Sequence, residues 1–481
     1  MADNGDVIII KPSPMDNFNA SKGGTFVPLG PLYLAEVLQK EGYKPYIIDE
    51  GNETALERVA KLMSSEVIAI GISTMSGTQL GNAIILTNRL KELYPDIPII
   101  WGGVHVTALP KQTLESEVVD YLVWGEGEKS FIMLLEVLKR ENSNALSTIP
   151  GIGYRIDGNG HYNITPNAGY TDLNRIYRLP YNLVDMNRYA RKLLIGAEKE
   201  YPVYTSRGCP FRCTFCSNTS STWLNTRMRY NSIEHIVEDI RVLVQDYQAD
   251  MITFADEGFL FNEKRLFNIL KALRREGIKI KFRFSSRVDL ILRVRKESWK
   301  KMIDYGLAAV GAGIESGSEN MLKIMSKNIT VEQINRMDEL LTNLRLFKTY
   351  NYMIAGPRET VDDLKDTLRM IAKQARTSVY CPYPFTVYRY IPYPGTEMYE
   401  DAIRNGLVEP DNIQGWTNFD TDNFHNSLSR VRPWVQDEYF AFLKKAEPVL
   451  EELFSKFTGQ NADMTEIERS ARKLETITEK S

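Results

Sequence analysis

The chain has 481 residues, of which 43% are hydrophobic and 25% charged, and a formal net charge of −3. That length suits two or three domains with sizeable cores. The balance offers no basic field for nucleic acid, no apolar run reaches membrane-span length, and the start "MADNGDVIIIKPSP" lacks the pattern of a secretory leader, so the expected location is the cytoplasm.

The first part of the chain alternates strand and helix. "DVIIIKP", "KPYIID", "EVIAIGIST", "IPIIWGG" and "VVDYLVWG" read as strands. Between and after them, "PLYLAEVLQKEGY", "ETALERVAKLMSS", "LGNAIILTNRLKELYP", "ALPKQTLESE" and "EKSFIMLLEVLKRE" have helical spacing. Continuous apolar strands between amphipathic helices predict an α/β domain with a doubly wound parallel sheet at residues 1–145. Ligands of such sheets sit at the carboxyl ends of the strands. There the third, fourth and fifth strands run into "STMSGTQLGN", "GGVHVTALP" and "GEGEKS", whose small and polar residues leave room for a large ligand. Taken singly, each of these glycines is better explained by a tight strand–helix turn. The stretch after the first strand, "KPSPMDNFNASKGGT", is not G-x-G-x-x-G, which disfavours a dinucleotide.

Residues 146–200 read as a linker, with a hairpin turning at "DGNG" and an irregular "LPYNLVDMNRY". A second alternation begins near Tyr201. Strands in "YPVYTSR", "DMITFAD", "IKFRFSS", "AAVGAGIES", "KTYNYMIAG" and "FTVYRYIP", separated by helical patterns, predict a partial (β/α)6 barrel over residues 201–400. Residues 401–481 read as helical, and "WVQDEYFAFLKKAEPVLEELFSKF" is expected to pack on the barrel. The aromatic stretch "VYCPYPFTVYRYIPYPGTEMY" suits barrel-strand core or the lining of an apolar pocket. The basic runs "KALRREGIKIKFR" and "RVRKESWKK" read as solvated faces rather than an RNA site.

Three of the four cysteines, Cys209, Cys213 and Cys216, lie in "YTSRGCPFRCTFCSN", after the first barrel strand. A structural zinc site wants four ligands, yet no cysteine or histidine follows closely, and His235 reads as a helix-surface residue. A [4Fe–4S] cluster also normally takes four cysteines. Three would leave one iron open, which points to catalysis. Cys381 reads as a buried small hydrophobe, with a place near the active site as the alternative.

This C-x-x-x-C-x-x-C loop resembles that of the radical S-adenosylmethionine (SAM) superfamily. The resemblance implies Cys209, Cys213 and Cys216 as ligands of a [4Fe–4S] cluster, SAM chelating the open iron, and a 5′-deoxyadenosyl radical that takes hydrogen from substrate. It implies Phe215 beside the adenine. In "ITFADEGFLFN", Asp256 or Glu257 would meet the SAM amino group, although either acid could equally cap a helix. It further implies Ser285 and Arg287 on the third strand and Glu315 at the ribose. Ile354, Gly356 and Glu359 would belong to the adenine-contact segment, which suits a structural turn as well.

The preceding domain resembles the cobalamin-binding domain of B12-dependent radical SAM enzymes, through "VPLGPLYLAEVLQKEGY", "GISTMSGTQLGNA", "WGGVHVTALP" and "VWGEGE". Methylthio-transferring members carry further cysteines in this region, and residues 1–208 contain none. Branches with auxiliary clusters need a cysteine-rich tail, and only Cys381 follows the triplet. No D-x-H-x-x-G motif occurs. The resemblance places cobalamin against Ser73, Thr74, Met75, Gly77, Thr78 and Gln79, against Gly102, Gly103 and His105, and against Gly125, Glu126 and Gly127. His105 could equally cap the next helix. The implied activity is a C-methyltransferase that delivers methyl from methylcobalamin to a small-molecule or lipid-like intermediate, served by an electron donor such as flavodoxin or ferredoxin. Cyclisation or ring rearrangement with the same cofactors is the alternative, and a non-catalytic iron–sulfur or zinc module the third reading.

Overall fold

Strand β1 (Asp6–Lys11) buries every side chain but its last, as a strand covered on both faces must. It pairs in parallel with β2 (Lys44–Asp49) on one side and β3 (Val67–Ser73) on the other. β4 (Ile99–Gly102) and β5 (Tyr121–Val123) continue the parallel sheet. β6 (Ile152–Arg155) and β7 (Tyr162–Ile164) then add antiparallel, giving the order β2-β1-β3-β4-β5-β6-β7. The stretch read as a linker thus supplies two strands of this sheet; the turn expected at "DGNG" lies outside the described residues. Ile8, Ile10 and Ile70 have no exposed surface, and each such side chain contributes roughly 1.5–3 kcal/mol. The order reverses between β1 and β3, the switch point where such sheets open a crevice.

This computed structural model describes residues 4–13, 26–156, 161–175, 178–191, 196–221, 226–378, 381–419, 432–457 and 463–480. The chain divides into two units, the first formed by residues 1–189, 220–223 and 408–424 and the second by the rest. Residues 408–419 therefore join the first unit, whereas the sequence suggested one helical tail on the barrel. Their short 3-10 turn, Gly415–Asn418, is held by Trp416, which is fully buried, packs its ring at a tilt against Phe419 and donates through Nε1 to Gln112 at 2.6 Å.

In the second unit, β8 (Glu200–Val203), β11 (Met251–Phe254), β12 (Lys281–Ser286), β13 (Leu307–Glu315), β14 (Phe347–Ile354) and β15 (Phe385–Arg389) form one parallel six-stranded sheet in chain order. That is the expected half-barrel. A small antiparallel pair, β9 (Ser206–Arg207) with β10 (Arg229–Tyr230), follows β8. Phe254, Phe282 and Phe284 are buried on one face of the sheet. Glu200, Thr253 and Arg283 are joined by hydrogen bonds on the other, inner face. Helices Asp437–Ser455 and Met464–Lys480 complete the unit, the latter tied to Arg376 by Glu468 and by a bidentate Glu475. No helix among the described residues is long and apolar enough to cross a membrane.

Candidate functional site

The three-cysteine loop leaves β8 through Gly208, whose φ of 97° suits glycine. The loop closes on itself: the Cys216 N–H donates to the Cys213 carbonyl at 3.1 Å, and the Thr219 hydroxyl donates to the carbonyls of Cys213 and Cys216. Thr214 pegs it to the barrel. Its N–H donates to Met325 O, its hydroxyl to Ile324 O, and its carbonyl accepts from Met398 N–H. Cys213 is buried, and Cys209 and Cys216 are half-buried. Burial above all pushes the Cys209 thiol up and the Cys216 thiol to about 11, with the neighbouring cysteines and Glu257 adding to it.

Arg287, at the end of β12, clamps this loop from beneath. Its Nη1 donates to Cys213 Sγ at 3.4 Å, Nη2 to the Lys327 carbonyl, and Nε to Asp289 at 2.9 Å. Its guanidinium lies 3.6 Å from the centre of the Phe211 ring. Arg287 thus meets a thiol, and the sequence had assigned it to SAM.

The two neighbouring acids separate cleanly. Asp256 is buried and accepts from the Thr205 N–H and hydroxyl and from the Ser206 hydroxyl. Burial raises it to about 6 against these hydrogen bonds. Glu257 is exposed and acts electrostatically on Cys209, Cys216 and Tyr204. Glu315, at φ 70°, is paired with Lys327 at 2.9 Å, and Lys327 stands 5.9 Å from the centre of the Phe215 ring. Lys327 was not singled out in the sequence, because "SKN" carries no recognisable signature; it is held between Ser326 and Asn328, both at positive φ. Ser285 is exposed on the inner face, in space that a side chain at Gly311 would take.

Ile354 is buried and its carbonyl accepts from Tyr390 N–H at 2.8 Å. The Gly356 N–H donates to Glu359 Oε2 at 2.9 Å, and Glu359 Oε1 is sealed without a partner. Burial pushes the Glu359 carboxyl from an ordinary 4.5 up to about 8. An acid raised on folding stabilises while protonated. Its contribution is full below pH 4.5 and is lost as the pH rises through about 8. The unfolding temperature should therefore fall across that window, and Glu359→Gln, which keeps an acceptor for Gly356, should flatten part of the fall in a thermal-melt series. Cys381 donates to the Lys348 carbonyl at 2.8 Å, beside a buried Lys348–Asp338 pair.

In the first unit, the ends of β3, β4 and β5 are laced together. Thr74 donates to Gly102 O through both N–H and hydroxyl, His105 N–H donates to Thr74 O, and Thr107 Oγ1 links Gly103 O with Gly125 N–H. Gly103, at φ 101°, is required: a Cβ there would lie 2.5 Å from Thr74 O. His105 is 1% exposed, shares a 2.9 Å hydrogen bond between Nδ1 and Ser76, and leaves Nε2 buried without a partner. Burial lowers it to about 3, so the ring is neutral. Ser76 was passed over in the sequence. Gln79 donates to Pro12 O and the Glu126 carboxylate accepts from Thr171 N–H, so both side chains have protein partners. Ser73, Thr78 and Gly127 are half-buried beside this edge, and the Gly77 N–H donates to Trp416 O. Met75 and Val104 are 50% and 64% exposed there, an apolar landing beside polar strand ends.

The donor chemistry fits the expected groups. Three thiols with an arginine donor suit a cluster that needs thiolates. Among the described residues no group of three His, Cys, Asp or Glu side chains is gathered to hold a single metal ion, so this fit rests on donor type and loop anchoring. The glycine-walled strand ends, the sealed His105 Nε2 and the exposed Met75 and Val104 suit a broad ring with a polar rim.

A half-barrel carrying a three-cysteine loop, preceded by a doubly wound sheet open at its strand ends, defines a radical enzyme with a second large cofactor. Residues 203–371 match the radical SAM superfamily, and residues 18–135 match the B12 binding domain. The chain belongs to the B12-binding radical SAM enzymes, whose two domains imply a [4Fe–4S] cluster, SAM and cobalamin. An uncharacterised methyltransferase of Pyrococcus horikoshii is 28% identical over 453 residues, 93% of this chain and 94% of its own. The anaerobic magnesium-protoporphyrin IX monomethyl ester cyclase of Cereibacter sphaeroides is 26% identical over 384 residues, 76% of this chain and 60% of its own. The solved structure of the cobalamin-dependent SAM radical enzyme OxsB, with aqua-cobalamin and SAM bound, shares the fold with a TM-score of 0.73 at 20% identity, over 99% of this chain and 71% of that one.

Proposed function

We propose that the chain is a C-methyltransferase, replacing a hydrogen on a carbon of a small-molecule substrate by a methyl group. The observation that carries this reading is the match over 93% of the chain and 94% of the relative to a protein named a methyltransferase. When bound, the cluster with SAM supplies radical initiation and cobalamin supplies methyl carriage.

Cys209, Cys213 and Cys216 are the cluster ligands in this reading. Arg287 and Thr214 hold their loop, Arg287 by donating to Cys213 Sγ. Glu257, exposed within electrostatic reach of two of the thiols, receives the ammonium of SAM. Glu315, oriented by Lys327, takes the ribose hydroxyls. Phe215, Ile354 and Gly356 flank the adenine, with Ser285 beside them. Met75 and Val104, with Ser73, Thr78, Gly102, Gly125 and Gly127, would hold the corrin at these strand ends. Thr74, Gln79 and Glu126 shape that edge through protein hydrogen bonds. A one-electron donor of the flavodoxin or ferredoxin kind delivers the electron.

The cyclase relative favours a second reading with the same cofactors. One assay separates them. The full chain, reconstituted anaerobically with iron, sulfide and cobalamin, is given methyl-labelled SAM and a metabolite extract from its own cell. Deoxyadenosine, S-adenosylhomocysteine beyond one per cobalamin, and a labelled product are expected. Deoxyadenosine with neither of the others would sink the methyltransferase reading.

A further inference from the structure

The half-barrel has a polar inner face. Arg283 of β12 lies on that face with its Nε held twice, by Glu200 Oε1 at 2.5 Å and by Thr253 Oγ1 at 2.9 Å. Those contacts fix the plane of its guanidinium. Among the described residues, neither Nη atom has a hydrogen-bond partner. The terminal fork is therefore oriented and uncommitted, and Arg283 is half-buried rather than solvated at a surface.

Arg191 is close enough for the two guanidiniums to repel, and Glu200, 2% exposed, acts electrostatically on Arg191 as well. Further along the same face Ser285 is exposed, Thr349 lies beside it across Gly311, and Tyr388 is 47% exposed. Tyr388 is within electrostatic reach of both Arg191 and Glu315, so the arginine layer and the Glu315–Lys327 pair border one space. Arg283 is four residues before Arg287, about 13 Å lower at ~3.3 Å per residue. A group held by Arg283 would leave the rest of a molecule pointing up the barrel toward the cysteine loop.

We propose that Arg283, oriented by Glu200 and Thr253 and reinforced by Arg191, is a subsite for an oxyanion of the substrate, a carboxylate or a phosphate. A planar fork with two parallel N–H groups matches such an anion in bidentate fashion. The substrate is then a polar, anionic small molecule, and a lipid-like tail does not belong at this end. The proposal rests on the radical-enzyme reading of the barrel for its meaning, and its test requires neither cobalamin nor methyl transfer.

The test uses the full chain with its cluster reconstituted anaerobically. Arginines are modified by phenylglyoxal in the presence of inorganic phosphate, of succinate, or of neither, and quantified by peptide mass spectrometry. Phosphate or succinate should slow modification of Arg283 several-fold and leave the exposed Arg293 unchanged. Protection by phosphate alone identifies a phosphate-bearing substrate, and by succinate alone a carboxylate. Because Arg283→Gln would take the hydrogen-bonded cation from buried Glu200, the companion variant is Arg283→Lys. It keeps the charge and loses the fork, and should lose most of the anion-dependent rise in unfolding temperature. No protection of Arg283 by either anion, or a rise unchanged in Arg283→Lys, overturns the proposal. Both outcomes leave the methyl-transfer assay unaffected, so failure of one does not imply failure of the other.

Discussion

Cys213→Ala should abolish cluster loading and SAM cleavage together. Cys213 is the buried member of the triplet and the one that Arg287 meets. Its removal takes a thiolate from a set that has no spare, and leaves Arg287 Nη1 facing a methyl group. The loop itself should survive. Thr214 and Thr219 hold it through hydroxyls that donate to backbone carbonyls, bonds that the substitution does not touch. The expected result is iron and sulfide near background after reconstitution, no reduced-cluster signal by electron paramagnetic resonance, and no deoxyadenosine, with an unchanged far-ultraviolet circular dichroism spectrum. Cys381→Ala is the matched control. It removes a buried thiol that donates to Lys348 O, at a cost of about 1 kcal/mol, and should leave cluster content and SAM cleavage intact. A full cluster and normal SAM cleavage in Cys213→Ala would remove the triplet from the chemistry.

How much of this could be read from the chain depends on how far each interaction reaches. Strands buried on both faces announce themselves as unbroken apolar runs, so every strand of the half-barrel sheet and the five parallel strands of the first sheet were legible. The cysteine loop was legible because its three thiols lie within eight consecutive residues. Its supports were not. Thr214 bonds across 110 positions, Arg287 meets Cys213 across 74, and neither pairing leaves a local pattern. The same holds for Gln112 and Trp416, 304 positions apart, whose bond brings residues 408–419 into the first unit. The hairpin around "DGNG" was legible from its turn residues, but its pairing with β5, which adds it to the first sheet, leaves no local pattern. Polar alternation on the inner barrel face is present in "KFRFSS". Arg283 and Ser285 alternate there with buried Phe282 and Phe284, which is the period-two signal of a sheet with one polar face.

Asp256 and Glu257 show how two adjacent acids, indistinguishable by motif, come to do different work, and substituting them should separate fold from chemistry. Asp256 accepts from Thr205 and Ser206, and Arg265 donates to the hydroxyl and the carbonyl of Thr205. This buried network ties the end of β8, just before the cysteine loop, to the end of β11. Asp256→Ala would strand the Thr205 N–H and leave Arg265 without its nearest carboxylate. Losses of a partner in a buried charged network typically cost about 3–5 kcal/mol. A markedly lower unfolding temperature and poor cluster incorporation are expected, because the loop loses its anchor. Glu257→Gln should do the opposite. The side chain is exposed, so the fold, the unfolding temperature and the iron content should match the parent protein. Only the charge that faces the thiols is removed. If that carboxylate receives the ammonium of SAM, SAM affinity measured on the loaded cluster should fall by about 1.5–3 kcal/mol, the range for a hydrogen bond to a charged group. Unchanged SAM affinity in Glu257→Gln, with a stable and cluster-competent Asp256→Ala, would reverse the assignment and return the SAM contact to Asp256.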